Sequence, residues 1–222
     1  MWELIKSIKE YLVWPSAIIV FLWLAFFINL NYQFNWNAYG IHPRQIHGLL
    51  GVVFSPFLHA DFGHLFHNSI PFFISFSFIF FFYKQKSWAI ALTIFLGSGI
   101  GVWLFGKYYS NHIGASGIVY GFVSFLIFSG FLLKNKKMWA MSLLMIFLYG
   151  SLIWGIFPQI NIISGAKISW EGHACGAITG FLSAFYYRKY GPPSDLDNYF
   201  GDEDDLEYFS TKTWVEDQTA NQ

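Results

Sequence analysis

The chain has 222 residues, of which 55% are hydrophobic, 23% are aromatic and only 12% are charged. A soluble domain carries about 25% charged residues, and 27 phenylalanines with 10 tryptophans are too many for a soluble domain of this size to bury. The composition therefore excludes an ordinary soluble protein and predicts a protein that crosses the lipid bilayer several times. The formal net charge is zero, and we expect no nucleic-acid partner.

Six apolar segments follow one another along the chain, and each is long enough to cross a hydrocarbon core about 30 Å thick. The first is too long for the core of a signal peptide, and no small-residue cleavage site follows it, so we predict a retained first transmembrane helix. The predicted fold is an all-α membrane protein with a bundle of six transmembrane helices. The segments cover residues 13–31, 65–83, 88–106, 115–133, 138–157 and 172–188.

The distribution of charge divides the chain into three predicted regions. These are a short cytoplasmic N-terminal segment (1–11), a membrane domain (12–190) and an acidic cytoplasmic tail (191–222) that we expect to be solvated and poorly ordered. The membrane domain contains only two acidic residues, Asp61 and Glu171. Carboxylate pairs for acid–base chemistry and carboxylate relays for protons are therefore not expected within the bundle.

Lysine and arginine residues are unequally divided between the two sides of the predicted bundle, which sets its orientation. The poorer side has Arg44, Lys107 and Lys167, and the loop 32–64 on that side is apolar enough to lie in the membrane interface. We therefore place both termini in the cytoplasm, in an arrangement that suits a bacterial cytoplasmic membrane. The richer side carries Lys6, Lys9, Lys84, Lys86, Lys134, Lys136, Lys137, Arg188 and Lys189.

Three of the segments place a polar side chain in the outer part of the bilayer. Counting 1.5 Å per residue from the cytoplasmic cations puts Ser116, His173 and Asn68 about 22 to 27 Å away, with His64 about one helical turn further out. Polar groups in lipid are costly and normally face the bundle interior or a hydrated cavity. Their shared depth indicates one site rather than several unrelated ones.

Small residues repeat at a spacing of four on the fourth and sixth segments. Gly117 and Gly121 lie on one face of the fourth, and Gly176 and Gly180 lie on one face of the sixth. Such stripes allow two helix backbones to approach closely. The two segments are therefore predicted to pack together there, which would bring the serine of the fourth towards the histidine of the sixth.

The chemistry that fits these residues is acyl transfer. A serine is a poor nucleophile until a base takes its proton, and a histidine does this near neutral pH. We therefore predict a dyad of Ser116 as nucleophile and His173 as base. Donors for a developing oxyanion are the side chains of Asn68 and His64 and the backbone N–H of Ser116. Tyr120, one turn along from the serine, is placed to support the imidazole ring.

Three stretches of this sequence resemble the rhomboid intramembrane serine proteases: "HADFGHLFHN" (59–68), "GASGIVYG" (114–121) and "HACGAITG" (173–180). Their order, on the second, fourth and sixth predicted helices, is similar to that family, and the resemblance covers roughly 12–190. It implies a rhomboid-like six-helix bundle with a water-filled cavity open to the non-cytoplasmic side. It also implies substrates that are single transmembrane helices, cut near the outer face.

The resemblance assigns the same catalytic pair, Ser116 and His173, and the same oxyanion-hole side chains, His64 and Asn68. One departure stands in the first loop, where many members carry a Trp-Arg pair and this chain has Gly51 at the arginine position. The resemblance adds three supporting residues around the site: Gly114 in the loop before the nucleophile, Tyr120 against the base, and His59 in the loop before the second helix.

The remaining candidate ligands do not form a metal site, and no cofactor is predicted. His64 and His67 have a spacing that two metal ligands can use, but no set of three or four ligands accompanies them. Cys175 is interpreted as a small core residue. The other three histidines are interpreted as ordinary loop residues: His42, His47 and His112.

Three functional hypotheses follow. The first is a rhomboid serine endopeptidase whose partners are the lipid bilayer and the transmembrane segments of its substrates, with the fifth helix or the loop 161–172 gating their entry. The second is a catalytically silent rhomboid-like protein that binds membrane clients, for which the dyad would not be needed. The third is a transporter or channel, which the lack of intramembrane carboxylates and of paired broken helices disfavours. No oligomeric state is predicted.

Overall fold

The structure, a computed structural model, describes residues 2–158 and 169–195. Within these ranges the chain is helical, and the one pairing of extended residues is an isolated antiparallel bridge between Ile41 and His112. Most of the predicted gating loop, and the predicted acidic tail beyond residue 195, lie outside the described residues.

Seven α-helices form the described part of the chain, and short 3₁₀ turns connect several of them. The helix α6 continues as a 3₁₀-helix over Gly150–Ile156. The seven are α1 (Trp2–Tyr32), α2 (Leu49–Phe54), α3 (Phe62–Tyr83), α4 (Ser87–Phe105), α5 (Ser116–Leu133), α6 (Lys136–Tyr149) and α7 (Trp170–Tyr187).

Each predicted segment coincides with one long helix, and two boundaries differ. The helix α1 begins at Trp2 rather than at residue 13, because its polar first turns consist of residues that favour helix as strongly as the apolar ones do. The α-helical part of α6 ends at Tyr149 rather than at residue 157. The glycine at position 150 has a low helix propensity, and from there the chain tightens into a 3₁₀-helix.

Four stretches of the described chain are long and apolar enough to cross a membrane: Tyr11–Tyr32, Phe62–Phe105, Ser116–Leu133 and Lys136–Ile156. The second of these is 44 residues long and contains both α3 and α4. The helix α7 does not reach the same mean hydropathy, because its first turn carries a glutamate and a histidine. The apolar spans, with many large hydrophobic side chains exposed on their outer surfaces, describe an integral membrane protein.

The helix α5 lies at the centre of the bundle. Phe122, Phe125 and Leu126 on this helix are fully buried. Phe122 stacks on Phe76 of α3 with ring centroids 4.9 Å apart, and aromatic pairs of this kind contribute about 0.5–1.5 kcal/mol beyond their buried area. Central burial of α5 holds its first residue in a fixed position relative to the helices on either side.

The helices α5 and α7 cross at the predicted glycine stripes. A side chain on Gly176 would collide with the backbone carbonyl of Gly117, and one on Gly180 would collide with the carbonyl of Gly121. The Ser124 hydroxyl donates a hydrogen bond of 2.8 Å to the carbonyl of Ala177, which joins the same two helices. The predicted close packing of these segments is therefore confirmed. It depends on glycine at these positions, because glycine has no side chain.

The loop between α1 and α3 folds against the loop that precedes α5. Ile41 and His112 exchange two backbone hydrogen bonds, of 2.9 and 3.0 Å. Gly51, in α2, faces the backbone of Gly40 so closely that a side chain at this position would overlap it. This contact requires a residue without a side chain at position 51.

The glycine stripe gives a stability prediction. Replacing Gly176 by alanine places a methyl group against the carbonyl of Gly117 and pushes α5 and α7 apart. We expect Gly176→Ala to lower the free energy of unfolding by about 1–3 kcal/mol, the usual cost of overpacking. Thermal unfolding in detergent micelles measures this change.

The matched control is Gly150→Ala, where the added methyl group meets only a side-chain carbon of Ile146 at 3.7 Å. Equal melting temperatures for the two variants would contradict the proposed role of the stripe.

Candidate active site

Ser116 is the first residue of α5, and the loop before it has an unusual backbone conformation. Gly114 has φ +107°, which side chains other than glycine rarely adopt, and its N–H donates a 2.8 Å hydrogen bond to the carbonyl of Ser55. A side chain on Gly114 would lie 2.6 Å from the ring of His64. The glycine therefore allows both the sharp turn into α5 and the close approach of the α3 histidine.

His173 lies in the first turn of α7, and its side chain points at the serine. The Nε2 atom of His173 is 3.0 Å from the Oγ atom of Ser116, and the imidazole is buried. The start of α7 is capped by Ser169, whose Oγ accepts a 3.3 Å hydrogen bond from the N–H of Gly172. The predicted nucleophile and base are thus brought into hydrogen-bonding contact across the α5–α7 interface.

The second ring nitrogen of His173 is held by a backbone carbonyl that the sequence did not indicate. The Nδ1 atom lies 2.9 Å from the oxygen of Gly155, in the 3₁₀-helix after α6. A carbonyl oxygen can only accept, so Nδ1 carries the hydrogen of the neutral ring and Nε2 accepts the hydroxyl proton of Ser116. The carbonyl of Gly155 therefore selects the tautomer in which the imidazole is able to act as a base.

Tyr120 fixes the plane of the same imidazole. Its ring stacks on the ring of His173 with centroids 4.0 Å apart and an angle of 5° between the planes. The two residues come from α5 and α7, so the stacking also joins the helices that carry the serine and the histidine. The structure thus brings Tyr120 into contact with the imidazole.

His64 and Asn68 come from the first two turns of α3, which the carboxylate of Asp61 caps by accepting a 2.8 Å hydrogen bond from the N–H of His64. The Asn68 amide donates one hydrogen to the carbonyl of His64 at 3.0 Å. An amide nitrogen has two hydrogens, so a second one is available to a ligand. A Cβ on Gly114 would lie 3.7 Å from the Asn68 amide nitrogen, so both predicted oxyanion donors flank the loop that carries the nucleophile.

His59 supports the loop that leads into α5 at the residue just before Ser116. Its ring is 2% exposed, and its Nε2 atom accepts a 3.4 Å hydrogen bond from the N–H of Ala115, next to the serine. Burial and, to a smaller extent, the nearby His64 lower the pKa of His59 to about 3. The ring is therefore a neutral acceptor at physiological pH, which is the state that this hydrogen bond requires.

The interpretation of His112 as an ordinary loop residue is wrong. Its side chain is buried, with Nε2 at 2.6 Å from the Oγ of Ser110 and Nδ1 at 2.5 Å from the Oγ of Ser169. Nothing in the sequence indicated that the side chain of His112 is buried between two hydroxyls. Ser110 is two positions away, but Ser169 is 57 positions away and becomes a neighbour only in the folded chain. His47 is exposed, as expected for a loop residue.

Cys175 packs half-buried against Gly101 of α4, in agreement with its interpretation as a small packing residue. Among residues 2–158 and 169–195, no group of three or more His, Cys, Asp or Glu side chains is placed to hold a metal ion. The described site offers a hydroxyl, an imidazole that accepts its proton, and a backbone carbonyl that orients the imidazole.

Comparison with known proteins identifies one family model and several relatives. The sequence model of the Rhomboid domain matches residues 47–190, which include all the residues of the site described above. The uncharacterized protein Rv1337 of Mycobacterium tuberculosis is 33% identical over 185 residues, covering 79% of this chain and 76% of that protein. The uncharacterized protein ML1171 of Mycobacterium leprae is 30% identical over 186 residues, covering 79% and 72%. The chain belongs to the rhomboid family.

Proposed function

We propose that this protein is an intramembrane serine endopeptidase that hydrolyses peptide bonds in or near the transmembrane helices of other membrane proteins. The observation that carries the proposal is the contact of 3.0 Å between Ser116 Oγ and His173 Nε2, with Nδ1 of the same ring bonded to the carbonyl of Gly155. Nucleophile, base and orienting group are the three parts that an activated serine needs. The proposal specifies a dyad, because the third group is a backbone carbonyl rather than a carboxylate.

In the first half of the reaction, the Ser116 hydroxyl gives its proton to Nε2 of His173 as Oγ attacks the carbonyl carbon of the substrate. The tetrahedral intermediate carries a negative oxygen. The second hydrogen of the Asn68 amide, the ring of His64 and the N–H of Ser116 at the positive end of α5 are the proposed donors to it. The C–N bond then breaks, the leaving amine takes the proton from His173, and an acyl-enzyme ester remains.

In the second half, water attacks the ester and gives one proton to His173, and Ser116 recovers that proton when the acid product leaves. A cavity of about 30 Å³ lies beside Ser116, on a side of the serine that His173 does not line. Its lining includes the hydroxyl-bearing residues Ser55 and Ser98, and a space of this size accommodates a water molecule. The imidazolium formed in both halves is stabilised by the Gly155 carbonyl and by the face of the Tyr120 ring.

The proposed topology has six membrane crossings, with both termini in the cytoplasm and the site opening to the other side of a bacterial cytoplasmic membrane. It is supported by the order of the helices: α3, α5 and α7 begin at the site and end near exposed basic residues. Lys84 follows α3, Lys134 follows α5, and Arg188 follows α7. By the positive-inside rule, the site is at the non-cytoplasmic ends of these helices.

The proposed substrates are transmembrane helices that are unwound near their outer ends. A helical peptide bond is shielded by its own backbone hydrogen bonds, so helix-breaking or small residues near the cut lower the cost of exposing it to Ser116. The silent client-binding alternative does not require the proton path from Ser116 to His173. The intact geometry of that path favours the protease.

The first prediction concerns the dyad itself. Ser116→Ala removes the nucleophile and His173→Ala removes the base, so each is expected to reduce cleavage of a transmembrane reporter substrate by about 10³-fold or more. Fluorophosphonate labelling of the purified protein in detergent is expected to disappear in Ser116→Ala.

The matched control for the dyad is Ser183→Ala, which removes a buried hydroxyl elsewhere on α7 and is expected to retain both activities. Cleavage that persists in Ser116→Ala would contradict the proposed function. Absence of both labelling and cleavage in the wild type would favour the silent alternative.

The second prediction concerns the carbonyl that orients the base. A methyl group at position 155 would overlap the hydroxyl of Tyr120 and lie 3.0 Å from Nδ1 of His173. Gly155→Ala is therefore expected to displace the 3₁₀-helix and to lower kcat by about 10- to 100-fold, as small misplacements of catalytic groups do. Reporter cleavage under saturating substrate measures kcat.

Gly150→Ala is the control for this substitution, because it changes a glycine of the same 3₁₀-helix where the added methyl group has space. If the two variants had the same kcat, the orienting role of the Gly155 carbonyl would be wrong.

A further inference from the structure

A chain of side-chain hydrogen bonds outside the dyad joins the two helices that carry it. The loop between α4 and α5 contains Ser110 and His112, and the start of α7 contains Ser169. The ring of His112 lies between the two hydroxyls, at 2.6 Å from Ser110 Oγ and 2.5 Å from Ser169 Oγ. His112 precedes Ser116 by four residues, and Ser169 precedes His173 by four residues, so the bond between His112 and Ser169 lies close in sequence to both dyad residues.

The direction of every bond in this chain follows from the groups at its two ends. The Ser110 hydroxyl donates its only hydrogen to the carbonyl of Lys107, so its oxygen accepts from Nε2–H of His112. In the neutral ring, Nδ1 is then an acceptor and takes the hydroxyl hydrogen of Ser169. The Ser169 oxygen keeps a lone pair for the N–H of Gly172, where α7 begins.

The surroundings of His112 keep its ring neutral. The side chain is 8% exposed, and burial is the largest cause that lowers the pKa of His112. In the part of the chain that the structure describes, the charged or titratable groups that face it are Glu171 of α7, which raises the pKa, and His42 of the first loop, which lowers it. Protonation would give both ring nitrogens a hydrogen, and the Ser169 hydroxyl would lose its acceptor.

The backbone of His112 is fixed independently of its ring. Its N–H and C=O pair with Ile41, and these bonds anchor the loop to the first extramembrane segment. The ring is therefore held on a rigid support, and the position of Ser169 follows from the position of the ring. The capping bond between Ser169 and Gly172, at 3.3 Å, is long and holds the start of α7 only weakly on its own. The complete series of hydrogen bonds from Ser110 through His112 and Ser169 to Gly172 holds it more firmly.

We propose that His112 is a positioning residue that, through Ser169, sets the start of α7 relative to the loop before α5 and so keeps His173 in contact with Ser116. This inference rests on the proposed function for its catalytic consequence. The hydrogen bond between His112 and Ser169, called the tie below, links the loop before α5 to the start of α7 whether or not the protein is a protease. The glycine stripe holds α5 and α7 together along their length, and this tie fixes their register at the site end.

The test compares the wild type with three single variants, with the double variant His112→Phe/Ser169→Gly and with one control variant. His112→Phe keeps an aromatic ring but removes both hydrogen bonds. Ser169→Gly removes the partner of His112, yet glycine is tolerated as a helix cap at a cost of only a few tenths of a kcal/mol relative to serine. His112→Asn retains an oxygen close to the position of Nδ1 and is the conservative variant. His47→Phe, in an exposed loop position, is the control.

We expect His112→Phe and Ser169→Gly each to lower kcat and the rate of fluorophosphonate labelling by about 10- to 100-fold. KM for the reporter is expected to change less than about twofold, because misplacing the dyad affects the reaction step more than substrate binding. The double variant is expected to be no worse than either single variant, because both remove the same bond. His112→Asn is expected to recover part of the rate, and His47→Phe to match the wild type.

Independent losses that multiply in the double variant would overturn the inference, and so would a labelling rate of His112→Phe within about twofold of the wild type. If the wild type neither cleaves nor labels, the proposed function fails. Whether the tie stabilises the start of α7 is then tested by hydrogen exchange of the Gly172 amide in a Ser116→Ala background. Faster exchange with His112→Phe than with His112→Asn supports the tie, and exchange left unchanged by His112→Phe overturns it.

Discussion

The hydrogen bond between Ser116 and His173 joins α5 to α7 through two residues that are 57 positions apart in sequence. The rest of the site is arranged around this bond. Its length of 3.0 Å depends on how closely α5 and α7 approach and on how far one is shifted along the other. The glycine stripes set the approach, because a carbonyl of one helix occupies the place of a side chain on the other. Stacking of Tyr120 on the imidazole then removes the remaining freedom of the ring.

The polar groups of the site are tolerated within an apolar bundle because most of them have hydrogen-bond partners. An unsatisfied buried donor or acceptor costs about 1–3 kcal/mol. The hydrogen bonds that His59 accepts from a backbone N–H, and that His173 and Asn68 donate to backbone carbonyls, therefore stabilise the site as well as shape it. The positions of α3, α5 and α7 contribute further, since all three begin at the site and present the N-terminal ends that favour negative charge. In the proposed reaction, that charge is the oxyanion.

The sequence was sufficient to predict the long helices, the α5–α7 contact and the meeting of serine with histidine, because helical spacing determines which side chains share a face and a depth. It did not reveal the Gly155 carbonyl, since every residue has one and only the folded chain shows which is used. It assigned His112 to an ordinary loop because its partner Ser169 becomes a neighbour only after α7 has packed. Backbone acceptors and long-range side-chain contacts of this kind carry no local sequence signal.

The most direct test of the central claim is covalent attachment of one inhibitor to both members of the dyad. A peptidyl chloromethyl ketone forms a hemiketal with an activated serine and alkylates a histidine in contact with it, and mass spectrometry of the digested protein identifies the modified residues. If the two residues form a catalytic dyad, we expect alkylation at Nε2 of His173 that is lost in Ser116→Ala. Alkylation of His173 that is equally fast without Ser116, or modification confined to other residues, would contradict it.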